Sequence, residues 1–287
     1  SSQRGPQSGS GVLYVDSPTR TYILTDEQLV AGPAGVRVTF DDGTSEPGHL
    51  LRADPQTGLA LLWVAGGGRA IPTFGSVSEV RVADTVMAIG AGSPGEGAVA
   101  PATVSSLDRR VILEDGTSRL SMVALTAASM PPQTAGGPLV DQQGSIVGIA
   151  TRATSSDPQQ QQFAYAVPID IAEHIATDIQ NGRSPTHPWL GFDSVSDVSS
   201  ALAHTLGVTG GVTIDGLASR SPASNAGLSQ SDIVTAFNGQ PVTSTGTLTQ
   251  LLSQCQLGQQ EQITYLHKNK SVTVRVTVAE QHGSDGS

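Results

Sequence analysis

Few side chains in this chain can move a proton or attack a carbonyl, and they are thinly spread. The single Cys255 excludes an intrachain disulfide and any multi-cysteine zinc site. Lysine occurs only at Lys268 and Lys270, which excludes a lysine base from the first 267 residues. Only His49 and His174 precede residue 184. His49 follows a Gly-rich turn and reads as an exposed strand residue, and His174 borders an apolar helix face and reads as a packing histidine. His187, His204, His267 and His282 are scattered, so no metal site is expected. A net charge of −10 argues against nucleic acid, whose phosphates need clustered Lys and Arg.

The elements that must position any chemistry are short strands. The chain has 287 residues, enough for roughly two domains of about 150. Hydrophobic residues make up 37% and charged residues 14%, and 33 Gly with 17 Pro fit turn-rich β structure. Val36, Val38 and Phe40 alternate with polar residues, as a half-buried strand does. Leu59 to Val64, Thr85 to Ile89, Ala98 to Val104 and Ile146 to Ala150 are further strands. Asp42-Gly43, Asp115-Gly116 and Gln143-Gly144 read as hairpin turns. Many strands without intervening helices predict barrels or a sandwich. Ile171, Ala172, Ile175, Ala176 and Ile179 repeat at helical spacing, with Gly182 as the stop.

Composition then changes. We divide the chain into a polar tail 1–8, a first domain 9–183, a Pro-rich linker 184–187, a second domain 188–280 and a tail 281–287. In the second domain Pro222 opens a short helix. Leu248, Leu251, Leu252 and Cys255 share one face of another, over 247–255, and Val272, Val274, Val276 and Val278 alternate along a strand. No apolar run approaches the 18 or so residues of a membrane span. The chain begins without Met, as a mature or trimmed product would, so an upstream anchor is the only membrane tie considered.

Ala135-Gly136-Gly137-Pro138-Leu139-Val140 resembles the GNSGGPLV string of trypsin-like serine proteases, in the form used by the HtrA/Deg family of cell envelopes. Further matches follow in family order. Gly9-Ser10-Gly11-Val12 resembles GSGV, Ile23-Leu24-Thr25-Asp26-Glu27-Gln28-Leu29-Val30 resembles IVTNxHVV, and Asp54-Pro55-Gln56-Thr57-Gly58-Leu59-Ala60-Leu61 resembles DPxTDLAL. Pro188-Trp189-Leu190-Gly191 opens a stretch similar to a PDZ domain, continued by Ala226-Gly227-Leu228 and Asn238-Gly239-Gln240-Pro241-Val242. The resemblance covers about residues 9 to 280. It implies a mainly β protein, with a trypsin-like double six-stranded β-barrel followed by a small α+β PDZ domain.

Cleavage in that family uses a serine, a histidine and an aspartate. Read residue by residue, these positions hold Ala135, Gln28 and Gly58. Alanine has no attacking oxygen, a glutamine amide accepts no proton near pH 7, and glycine orients nothing. The oxyanion loop reads Gln133, Thr134, Ala135, Gly136, where Gln133 adds a Cβ at a position the family gives to glycine. Thr134 offers a hydroxyl one residue out of register. Asp26 and Asp54 flank these positions and belong to turns.

The expectation is therefore a chain that is not an enzyme, a pseudoprotease that binds peptide tails or envelope proteins as an adaptor or scaffold. By the resemblance, Trp189, Leu190, Gly191 and Phe192 form the loop that receives a peptide carboxylate, and Leu248 and Leu252 line the opposite wall. The alternatives are an atypical or conditionally active serine-type endopeptidase of envelope quality control, and a chaperone-like holder of unfolded chains. The expected partners are protein C-termini, with no cofactor and no metal. Family habit is a homotrimer, but the segment before Gly9 is too short to carry an obvious trimer contact. The expected location is extracytoplasmic, in the periplasm or cell envelope.

Overall fold

The computed structural model describes residues 7–30, 35–91, 97–113, 118–127 and 130–281. The expected Asp115-Gly116 turn and His282 lie outside these residues. Strands β1 (Gly11–Asp16), β2 (Arg20–Asp26), β3 (Val36–Thr39), β4 (Ser45–Asp54) and β5 (Leu59–Ala65) form an antiparallel sheet in the order β1-β2-β5-β4-β3. The uninterrupted apolar run of β5 follows from burial on both faces. Leu59 and Leu61 join the cluster under the helix and second barrel, while Ala60, Leu62 and Val64 fill the first.

The second barrel comprises β6 (Thr85–Ala91), β7 (Gly97–Ile112), β8 (Ser118–Ala127), β9 (Pro138–Val140), β10 (Ile146–Thr151) and β11 (Ala164–Pro168), closed in the order β10-β11-β8-β7-β6-β9. The expectation of six strands holds here and is corrected for the first barrel, where the described residues give five strands in an open sheet. After β5 the Gly- and Pro-rich segment Gly66 to Phe74 pairs only through the Phe74–Ile146 bridge to the second barrel, so it adds no sixth strand.

Helix α1 (Ile169–Gln180) starts two residues before the apolar periodicity suggested, because Ile169 belongs to its buried face with Ala172, Ile175, Ala176 and Ile179. The second domain runs β12 (Pro188–Trp189), β13 (Phe192–Asp197), α2 (Ser200–Leu206), β14 (Val212–Leu217), α3 (Pro222–Asn225), β15 (Ile233–Phe237), β16 (Gln240–Pro241), α4 (Thr245–Ser253), β17 (Gln260–His267), β18 (Lys270–Thr277) and β19 (Ala279–Glu280). Its main sheet has the order β13-β14-β15-β17-β18, which leaves β13 at an edge. Helix α4 begins two residues earlier than the leucine spacing suggested, because the Ser244 hydroxyl accepts the Thr247 N–H as N-cap.

The domains meet where α4 packs on the short 3-10 turn Val77–Glu79. Asp170, in the first turn of α1, fixes that turn by accepting the Val77 N–H at 2.7 Å and the Ser76 hydroxyl at 3.0 Å. A Cβ on Gly246 would lie 2.2 Å from the Val77 carbonyl oxygen. Backbone cannot yield as a side-chain tip can. Gly246→Val is expected to separate the domains at a cost of about 1–3 kcal/mol, visible as faster trypsin cleavage after Arg183. Unchanged cleavage would show that this contact does not hold them.

Candidate functional site

The three positions that the family resemblance assigns to a catalytic triad sit on three neighbouring turns. Gln28 lies in the 3-10 turn Glu27–Leu29, whose N-cap Asp26 accepts the Gln28 N–H at 2.7 Å. The other Asp26 oxygen accepts the Arg152 N–H at 2.6 Å. Burial raises the Asp26 carboxyl above its ordinary value despite these bonds. Gly58 closes the Asp54–Gly58 turn at φ +80°, a left-handed geometry natural to glycine. Its carbonyl accepts the Glu27 N–H at 2.8 Å, so the first two positions are tied together. Ala135 is buried at the end of the 3-10 turn Pro132–Thr134.

A side chain not foreseen from sequence occupies the space beside Gly58. A Cβ at Gly58 would lie 2.9 Å from Cζ of Arg119. That buried guanidinium, from β8, pairs with the Glu27 carboxylate and donates to the Pro55 carbonyl. Where a triad would carry an orienting anion, this chain holds a cation.

The oxyanion loop is folded onto itself. The Thr134 N–H donates to Pro131 O at 2.9 Å and the Ala135 N–H to Pro132 O at 3.3 Å. The Gln133 carbonyl accepts the Ser10 hydroxyl at 2.7 Å, and the Gly136 N–H donates to Ala150 O at 2.7 Å. The Thr134 hydroxyl is buried and donates to Pro131 O at 2.7 Å. No donor of this turn that is bonded inward is available to a developing oxyanion in this arrangement.

The histidines lie elsewhere. His49 stacks on Trp63 with ring centroids 4.3 Å apart, so it is a stacking partner as well as a strand residue. His174 meets the Thr186 hydroxyl at 2.9 Å. His187, buried in the linker, pairs with Asp54 at 3.2 Å, and Thr57 also binds that carboxylate. Burial opposes ionisation of Asp54, but the His187 bond and charge and the Thr57 hydroxyl outweigh it and hold the carboxyl below its usual value. A lowered folded value means stability is present above the unfolded value of 3.8 and is lost as pH falls through the folded one. Asp54→Asn is expected to flatten that acid limb in melts between about pH 2 and pH 5. An unchanged limb would show that this pair contributes nothing to acid sensitivity.

The second-domain residues do come together. Trp189, Leu190, Phe192, Leu248 and Leu252 line one pocket, with Val195 of the edge strand β13. Gly191 turns the loop at φ +111°. The Leu190 carbonyl accepts the Ala223 N–H at 2.7 Å, and the Gly191 carbonyl accepts the Ala218 N–H at 2.9 Å. In a trans peptide C=O and N–H point opposite ways, so the Gly191 and Phe192 N–H groups are aimed away from those partners. Leu248 is buried and Leu252 half-buried, so Leu248 packs the core while also facing the pocket. Cys255 is buried, and burial with the nearby Glu261 pushes its thiol up to about 12, leaving it inert.

The family described as trypsin-like peptidase domain matches residues 9–149, and the PDZ domain family matches residues 188–278. The chain is 30% identical to serine protease Do-like HtrA of Bacillus subtilis, over 94% of this chain and 63% of that protein. It is 28% identical to a probable periplasmic serine endoprotease, DegP-like, of Halomonas elongata, over 97% of this chain and 58% of the relative. It thus spans less than two thirds of the length of these curated relatives. Among solved structures, the HtrA-type protease AlgW with a tripeptide superposes at a TM-score of 0.56 with 25% identity, over 97% of this chain and 91% of that one. AlgW with a decapeptide gives 0.52 at 25% identity, over 96% and 83%. These relatives correct the expectation that the chain is not an enzyme: they are named serine proteases and endoproteases along nearly its whole length, and no observation positively shows loss of activity.

Proposed function

We propose that the chain belongs to the HtrA/DegP family, a trypsin-like peptidase domain followed by a PDZ domain, and that it captures polypeptide C-termini in its second domain. The capture serves an atypical endopeptidase of extracytoplasmic protein quality control. The observation that carries this reading is the pocket formed by the 189–192 loop, the sheet-edge strand β13, and Leu248 and Leu252. An extended tail adds to β13 as a strand, its carboxylate takes the Gly191 and Phe192 N–H groups, and its last side chain enters between the leucines. AlgW, at 25% identity, is described with bound peptides, which supports peptide binding by this chain. The periplasmic names of relatives support an extracytoplasmic site. We take 9–183 and 188–280 as the working domains, joined by 184–187.

Bond cleavage in this chain draws its nucleophile and base from groups other than those at 28, 58 and 135, because glutamine, glycine and alanine supply neither. Two assays on the full chain separate capture from cleavage. A library of C-terminal peptides is expected to give binders that lose affinity when the carboxylate is amidated. Unfolded casein, with and without such a peptide, reads turnover and whether tail binding raises it. Peptides that bind equally well as acids and amides would overturn tail capture.

A further inference from the structure

The tail pocket has a wall that belongs to the first domain. Asp108 and Arg110 of β7 and Ser121 of β8 line it together with Val195, Leu248 and Leu252. Strand β7 packs against both β13 and α4, so it stands beside the groove between them. A carboxyl enclosed at such a place is poorly solvated. Burial pushes Asp108 up to about 6, and the Ser121 hydroxyl works against this. The other charged groups lining the pocket are Asp193, which is exposed, Arg110, and the imidazoles of His174 and His187, already bonded to Thr186 and Asp54.

We propose that this wall selects tails carrying an arginine or lysine side chain, whose cation pairs with Asp108. The inference rests on tail capture by the second domain and names the class of tail. A half-buried carboxylate in a pocket wall gains from a ligand that brings its own cation, because the pair replaces solvation the site has removed. The chain's net charge of −10 favours approach of the same ligands. A charge-assisted hydrogen bond of this kind corresponds to roughly a tenfold or greater preference over an uncharged isostere. The carboxylate form is needed, so the preference is present above about pH 6 and fades as pH falls below it.

The test uses the full chain and fluorescent pentapeptides with free carboxylates. Arginine is scanned through the positions before the last residue and compared at each with citrulline, by anisotropy. At about pH 7.5 one position is expected to favour arginine by roughly tenfold or more. That ratio is expected to collapse in Asp108→Asn, to persist in Asp193→Asn, and to shrink in the unaltered chain by about pH 5. Equal binding of arginine and citrulline peptides at every position, with amidation still abolishing binding, would overturn the selectivity and leave tail capture standing. A preference that persists in Asp108→Asn, or that vanishes in Asp193→Asn, would overturn the assignment to Asp108. Binding that ignores the carboxylate altogether would overturn both readings.

Discussion

Gly191→Val is expected to abolish carboxylate-dependent tail binding. Gly191 stands at φ +111°, where a β-branched residue is strongly strained. Its Cβ would also fall 2.2 Å from Cβ and Oγ of Ser221. Ser221 cannot step aside freely, because it is buried and its hydroxyl caps α3 by accepting the Ser224 N–H at 3.3 Å. The loop must instead lift from α3, which breaks the bond from the Ala223 N–H to the Leu190 carbonyl and scatters the donors meant for the carboxylate. Losing that receptor is worth about 3 kcal/mol, roughly a hundredfold in affinity. Anisotropy with matched acid and amide peptides checks it. The acid should fall to the level of the amide while far-UV dichroism stays near that of the unaltered chain. Acid binding within a factor of about three of the unaltered chain would place the carboxylate elsewhere.

That loop was legible in the sequence because its parts are local. Trp189 to Phe192 are consecutive, and the leucines that face them lie one helical turn apart. The strand runs of both barrels and the core face of α1 were legible for the same reason, since periodicity reports which side of an element is buried. Helix α2 was overlooked although its punctuation is present: Ser199 accepts the Leu202 N–H as N-cap, and Gly207 ends the helix at φ +70°. Its weakness as a signal is real, because Ala203 is its only buried residue and no apolar stripe marks it. What the sequence could not display were partners brought together by the fold. Asp54 and His187 are 133 positions apart, and Arg119 reaches Pro55 from 64 positions away. The empty side chain of Gly58 looked like a simple deletion of function. In the folded chain it is the space that admits Arg119.

Installing Gln28→His, Gly58→Asp and Ala135→Ser together is expected to leave casein turnover at the level of the unaltered chain. Three side chains make a triad only in register with one another. An aspartate at 58 must accept φ +80° and then meets Arg119, with Cζ 2.9 Å from where its Cβ would stand. The new carboxylate would pair with that guanidinium instead of turning an imidazole. If Arg119 is expelled, Glu27 loses its partner, and breaking a buried pair costs about 3–5 kcal/mol. A serine at 135 also faces an oxyanion loop whose 134 and 135 N–H groups donate into their own turn. One missing oxyanion donor alone costs about a hundredfold to a thousandfold in kcat. Adding Arg119→Ser to the three changes should therefore raise turnover above the triple variant by freeing the carboxylate, and Gly58→Asp alone should lower the melting temperature. A triple variant that cleaves as fast as the fourfold one, or a Gly58→Asp chain that melts like the unaltered protein, would show that Arg119 does not control the vacated position.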